Sequence, residues 1–266
     1  MTVKLIASDL DGTLLNDKCL ISDRTKEAVR RARAKGVVFT LATGRMYRSA
    51  LSFALELGID VPLITYQGAL VKTSMTKEVL YHRPLPVKLA KEIISIGEKE
   101  QYNINVYLDD ELYIHRETEA IRDYCRVARV PFTVVENLSL FLDREPTKVL
   151  FIGEEEEQLV GLWGELNKRY GNEVYITKSS AHFLEFTHPQ ATKGHGISTV
   201  AQGLGIRKEE IMAFGDSFND MELLRSAGFA VAMGNARDEL KREADFITGT
   251  NNEDGVASAI EKFVLD

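Results

Sequence analysis

Short apolar runs alternate with amphipathic stretches at both ends of this chain, and this pattern constrains its fold more than any other feature. Val3–Ser8, Val37–Ala42 and Pro62–Tyr66 read as buried strands. Ser22 is placed to cap a helix reaching about Lys35, with Gly36 to end it, and a second helix runs near Met46–Leu57 up to Gly58. The alternation returns late in the chain. A helix near Gly194–Leu204 leads to strand Ile211–Phe214, a helix near Asp220–Ser226 to strand Phe229–Ala232, and helices near Arg237–Arg242 and Asp254–Val264 follow. Strands and helices at this spacing predict an α/β fold with a doubly wound parallel sheet.

The middle of the chain is patterned differently. Asn103–Leu108 and Glu111–His115 flank Asp109-Asp110 and predict a hairpin; Phe132–Glu136, Thr147–Ile152, Glu173–Thr177 and His182–Phe186 read as further strands. Helices are predicted at Val87–Gln101, Glu117–Arg129 and Glu154–Tyr170. The economical arrangement is one core, built from residues 1–83 and 189–266, with an α+β domain inserted at 84–188. The full 266 residues suit two domains at roughly 150 residues each.

Composition excludes several classes. Hydrophobic residues make up 44% and charged residues 27%, which disfavours disorder, collagen and coiled coil. No apolar run approaches the ~18–20 residues that would span a bilayer, so no membrane role is expected. The start of the chain lacks signal-peptide architecture, and Cys19 and Cys125 stand alone, so a cytoplasmic location is expected. Residues 84–188 hold 12 Lys+Arg against 19 Asp+Glu, and no basic face for nucleic acid is evident. Arg30, Arg31, Arg33 and Lys35 read as the solvated side of a helix.

Chemistry concentrates where the strands end, as open α/β sheets require. Asp9-Leu10-Asp11-Gly12-Thr13 follows the first strand, and alternation points Asp9 and Asp11 to the same side. Two close carboxylates need a cation or a shared proton, and Mg2+ prefers such oxygen ligands. Gly215-Asp216-Ser217-Phe218-Asn219-Asp220 places two more acids and an amide at another strand end. Thr43-Gly44-Arg45 offers a hydroxyl and a glycine-permitted amide at a helix start, and Lys193 could supply positive charge.

This order of motifs resembles the haloacid dehalogenase superfamily of phosphotransferases. The position of the insert and the tail Thr250-Asn251-Asn252-Glu253-Asp254-Gly255-Val256 resemble its Cof-type branch, subfamily IIB. The resemblance implies a Mg2+-dependent phosphatase acting on small phosphorylated metabolites, sugar phosphates foremost. It implies Asp9 as a nucleophile that forms an aspartyl-phosphate, and Asp11 as general acid and base. Metal ligands would come from Asp9, the Asp11 carbonyl and Asp216, with Asp220 orienting them. The amide of Leu10 with Thr43, Gly44, Lys193 and Asn219 would hold phosphoryl oxygens. Family members carry Asn where this chain has Gln67, in a loop near the site; Arg45 and Gln67 are therefore substrate candidates. The stretch Lys178–Glu185 resembles the cap segment that faces the site, which makes His182 a third. The other four histidines, His82, His115, His188 and His195, have no metal-ligand spacing and read as structural or surface residues. A phosphomutase on the same core, or a non-catalytic phospho-acceptor module, are the rival readings.

Overall fold

The computed structural model of the protein describes residues 2–266. The amino-terminal part runs β1 (Leu5–Ser8), α1 (Asp23–Ala34), β2 (Val38–Leu41), α2 (Tyr47–Glu56), β3 (Pro62–Thr65), β4 (Leu70–Thr73) and β5 (Val79–His82). The middle runs α3 (Val87–Lys99), β6 (Asn103–Leu108), β7 (Glu111–Ile114), α4 (Glu119–Ala128), β8 (Thr133–Val134), α5 (Leu138–Phe141), β9 (Lys148–Ile152), α6 (Glu156–Tyr170), β10 (Tyr175–Ser180) and β11 (Phe183–Thr187). The remainder is α7 (Lys193–Gly203), β12 (Ile211–Gly215), α8 (Met221–Arg225), β13 (Phe229–Ala232), α9 (Asp238–Glu243), β14 (Phe246–Ile247) and α10 (Gly255–Ile260).

The core sheet has five strands in the order β14-β13-β12-β1-β2, all parallel. From β1 the chain first winds outward to β2 and later returns to β12 on the other side. The carboxyl end of β1 is thus the switch point of a doubly wound sheet, where such sheets open a crevice for ligands. All four residues of β1 are buried, which is why Leu5, Ile6 and Ala7 form a continuous apolar run rather than an alternating one, with Ser8 at its end. Ser22 caps α1 by accepting a hydrogen bond from the Thr25 amide.

One core strand differs from the sequence expectation. Pro62–Tyr66 reads as a third parallel strand; β3 does run parallel beside β2, but it joins it by one isolated bridge, Ala42 to Ile64, with the Thr40 hydroxyl donating to the Pro62 carbonyl at 2.6 Å, and not by a full ladder. It pairs fully with β4, and β4 with β5, in a separate antiparallel sheet. Strands β4 and β5 and the short β14 are absent from the sequence prediction. Strand β5, Val-Leu-Tyr-His, exposes its apolar Val79 and Leu80, and β14 has only two residues, so neither shows an apolar–polar periodicity.

A six-stranded sheet, β10-β11-β9-β6-β7-β8, occupies the middle of the chain. Its pairs are antiparallel apart from β7 with β8. Asp109 and Asp110 both take left-handed conformations, φ 53° and 60°, and form the two-residue turn of the β6–β7 hairpin. One face of the sheet is covered by α3, α5 and α6 through Ile93, Ile94, Leu138, Leu159 and Leu166. Tyr107, Leu150 and Ile152 belong instead to an apolar cluster continuous with β1 and β2. The middle sheet therefore roofs the carboxyl ends of the core strands.

Candidate active site

The site grows from the end of β1. Asp9 is nearly fully buried, and its Oδ1 accepts a hydrogen bond from Lys193 Nζ at 2.7 Å. The same ammonium donates to Asp220 Oδ1 at 2.6 Å. Lys193 opens α7, whose end is capped by the Thr192 side chain, and is itself completely buried. Burial alone would lower its pKa, but Asp220 and Asp9 outweigh it and raise it above the ordinary lysine value. Asp220 Oδ2 accepts the amides of Asp216 and Ser217, both at 3.0 Å. That carboxylate is fully occupied and fixes the loop after β12.

Asp216 completes the cluster. Its Oδ1 accepts from Thr13 Oγ1 at 2.9 Å. Asp9, Asp216 and Asp220 place carboxylate oxygens within 4.8 Å of one another. Burial, then repulsion from Asp220, push Asp216 up to about 7. Burial raises Asp9 well above the carboxylate range too; Lys193 opposes the shift, and Asp220, Asp216 and Asp11 add to it. Three acids against one ammonium leave a deficit of positive charge at hard oxygen donors, and a divalent cation of the Mg2+ type fits that set. Gly12 makes the approach possible. Its φ is +75°, and a Cβ there would lie 2.5 Å from Asp216 Oδ2.

Asp11 faces the same cavity, but its carboxylate leaves the acidic cluster. Both of its oxygens accept from Arg45, Nε and Nη2 each at 2.7 Å. Arg45 is fixed in turn by Ser49 Oγ at 3.2 Å and by the Val127 carbonyl of α4 at 3.3 Å. The second strand end supplies Thr43, whose Oγ1 accepts the Arg45 amide at 3.1 Å, and Gly44. Among the described residues, no protein acceptor takes the amides of Leu10 or Gly44.

Gln67, Asn219 and the roof form one buried chain of hydrogen bonds. Asn219 Nδ2 donates to Gln67 Oε1 at 3.1 Å, and Gln67 Nε2 donates to Glu185 Oε1 at 3.1 Å. Glu185 Oε2 accepts from Lys148 Nζ at 2.7 Å, and that ammonium also donates to the Gly44 carbonyl at 2.6 Å. Ser179 Oγ donates to Glu185 as well. A Cβ on Gly44 would lie 2.3 Å from Gln67 Nε2, so only glycine permits this approach of loop and roof. Gln67 itself is left-handed, φ 61°. It meets Asn219 and a roof carboxylate, whereas His182 sits in the exposed turn between β10 and β11, at the cavity rim.

Lys148 and the contacts of Thr13, Ser179 and Glu185 are missing from the sequence reading. A signal exists for two of them: Lys148 and Glu185 are opposite charges inside the apolar strands β9 and β11, and buried charges need partners. Thr13 lies in the Asp9–Thr13 motif and Ser179 in the Lys178–Glu185 stretch, but nothing local marks their hydrogen-bond partners. The cavity between core and roof measures about 600 Å3, and Asp9, Asp11, Thr43, Gly44, Arg45, Asn219, Lys148, Glu185 and His182 line it.

Asp9, Asp216 and Asp220 thus cluster at the switch point of the parallel sheet, where open α/β sheets bind ligands. The family model of haloacid dehalogenase-like hydrolases matches residues 6–260. The chain belongs to that family, and within it to the phosphatases of subclass IIB. It is similar to the 5-amino-6-(5-phospho-D-ribitylamino)uracil phosphatase YitU of Bacillus subtilis, 32% identical over 263 residues and 97% of each chain. The crystal structure of TM0651 from Thermotoga maritima superposes with a TM-score of 0.83 at 32% identity, covering 100% of both chains. That of the subclass IIB sugar phosphatase BT4131 superposes at 0.87 with 27% identity, covering 98% of this chain and 99% of the other.

Proposed function

We propose that the protein is a Mg2+-dependent phosphomonoesterase for small phosphorylated metabolites, sugar and polyol phosphates foremost, working through an aspartyl-phosphate on Asp9. One observation carries the reading: the buried Asp9, at the sheet switch point, faces a cavity while Lys193 holds only one of its oxygens. The other oxygen attacks phosphorus as the bond to the leaving oxygen breaks. Asp11 gives its proton to the departing alkoxide. It then takes a proton from the water that attacks phosphorus and frees Asp9. Arg45 holds both Asp11 oxygens in this structure, so Asp11 leaves that fork to serve the phosphoryl site.

The amides of Leu10 and Gly44, the Thr43 hydroxyl, Lys193 and Asn219 are the donors for the phosphoryl oxygens. Asp9, Asp216 and the Asp11 carbonyl would hold the cation, with Asp220 positioning Lys193 and the Asp216 loop. A bound cation supplies charge neutralisation on the phosphoryl oxygens. Residues 84–188 serve as the cap over a core of 1–83 and 189–266. The roofed cavity favours small substrates over nucleic acid, and no described helix is long and apolar enough to cross a membrane. The names of the sugar phosphatase and the phosphoribitylamino-uracil phosphatase support polyol esters. The test is Asp9→Asn. Loss of kcat by more than about a hundredfold, ~2.7 kcal/mol in the barrier, is expected with the fold retained; a smaller loss removes Asp9 as nucleophile.

A further inference from the structure

Gln67 lies beside the cavity without lining it. It is completely buried, whereas its two hydrogen-bond partners, Asn219 and Glu185, both face the cavity. A ligand there meets Asn219 and not Gln67. The backbone at this point is unusual. Tyr66 and Gln67 are left-handed in succession, at φ 53° and 61°, a costly conformation for residues with a Cβ. Contacts on several sides hold it. The amides of Tyr66 and Gln67 donate to the carbonyls of Arg45 and Thr43 at 2.9 and 3.1 Å. The Tyr66 hydroxyl donates to Asp110 Oδ1, in the β6–β7 turn, at 2.7 Å. Gly68, φ +101°, abuts the start of α7, where an added Cβ would lie 2.1 Å from the Thr192 carbonyl oxygen. Strained residues persist where their surroundings over-determine them, and this loop touches both the Thr43–Arg45 turn and the helix that carries Lys193.

The chain of hydrogen bonds through Gln67 has a direction. The carboxylate of Glu185, paired with Lys148, can only accept, so it draws the Nε2 end of Gln67 toward the roof. Gln67 Oε1 then faces Asn219 and accepts from its Nδ2, which selects one of the two orientations open to the Asn219 amide. The second Nδ2 hydrogen has no protein acceptor among the described residues and is left for a ligand oxygen. The reversed amide would present an oxygen where a phosphoryl group needs a donor.

We propose that Gln67 is a positioning residue: it passes the polarity of Glu185 to Asn219, so that Asn219 presents an N–H to the phosphoryl group, and it does not itself touch substrate. This rests on the phosphatase reading above and deepens it. Wild type is compared with Gln67→Gly, which removes the amide and accepts the left-handed backbone without strain. The probes are acetyl phosphate, D-glucose 6-phosphate, and orthovanadate as an inhibitor that fills the phosphoryl site with no leaving group. kcat/KM should fall by about tenfold or more, to the same extent for both esters, and the vanadate inhibition constant should rise comparably. In an Asn219→Ala background the same substitution should change each value by less than about threefold. Gln67→Asn, one methylene too short to reach both partners, should repeat the uniform loss and serves if the glycine variant does not fold. A loss confined to glucose 6-phosphate assigns Gln67 to the leaving group and overturns the proposal. A full further loss on top of Asn219→Ala marks a merely structural effect and overturns it too, as does no loss with any probe. Failure of the wild type to hydrolyse either ester overturns the phosphatase reading and the inference with it.

Discussion

Replacing Lys193 with Met removes one ammonium and keeps most of its volume. In the folded protein that ammonium is wholly buried and donates to Asp9 at 2.7 Å and Asp220 at 2.6 Å. Its loss leaves two buried carboxylates without their partner, beside a third in Asp216. Breaking a buried pair on one side costs about 3–5 kcal/mol. At about 2–4 °C per kcal/mol for a chain of this size, Tm should fall by roughly 6–20 °C in chelator. The deficit should depend on pH with a definite sign. Asp216, held up to about 7, and Asp9, raised above the usual range, bind protons more tightly when folded. Their contribution to stability is present below about pH 4 and is lost as pH rises through about 7. The variant should therefore melt closest to wild type near pH 5 and furthest from it near pH 8. Thermal melts followed by circular dichroism in chelator, at both pH values, read this directly. A Lys193→Met protein that melts within two or so degrees of wild type near pH 8 would refute the buried-charge reasoning.

The remaining substitutions probe the neighbouring contacts. Glu185→Leu leaves Lys148 buried without its partner and should cost about 3–5 kcal/mol, read by denaturant melts. Lys148→Met with Glu185→Leu should recover much of that loss, because the pair is then replaced by apolar groups. Gln67→Leu and Asn219→Ala each break the chain from roof to phosphoryl site; their effects on kcat/KM should fall short of additive by about 1 kcal/mol in a double-mutant cycle. Gly12→Ala drives a Cβ to 2.5 Å from Asp216 Oδ2 at a φ of +75°. It should weaken Mg2+ binding by at least about tenfold, measured by calorimetry, and cost about 1–3 kcal/mol of stability.

The core was legible because its strands are buried on both faces. LIAS, VFTL and IMAFG are short, largely apolar runs that alternate with helices, the pattern of a buried parallel sheet. The strand-end acids were legible for a related reason: Asp9 and Asp216 interrupt apolar sequence where a parallel sheet opens its crevice. The partnership of Arg45 with Asp11 was not. It joins residues 34 apart through a side-chain fork, and nothing local announces which carboxylate a buried arginine will find. Gln67 stood out by departing from the family pattern, but its link between Asn219 and Glu185 exists only once the roof lies on the core. Edge elements such as β5 escaped because their residues are mostly exposed, so they carry no alternation of apolar and polar positions.

Trapping the covalent intermediate tests the assignment of Asp9 most directly. Wild-type protein turning over a sugar phosphate with Mg2+ is quenched into borohydride, which reduces an acyl phosphate to an alcohol, and is then mapped by peptide mass spectrometry. Homoserine at position 9, dependent on substrate and on Mg2+, is the expected result. Steady turnover with no modification at Asp9, or with a reduced carboxyl at Asp11, Asp216 or Asp220 instead, would contradict it.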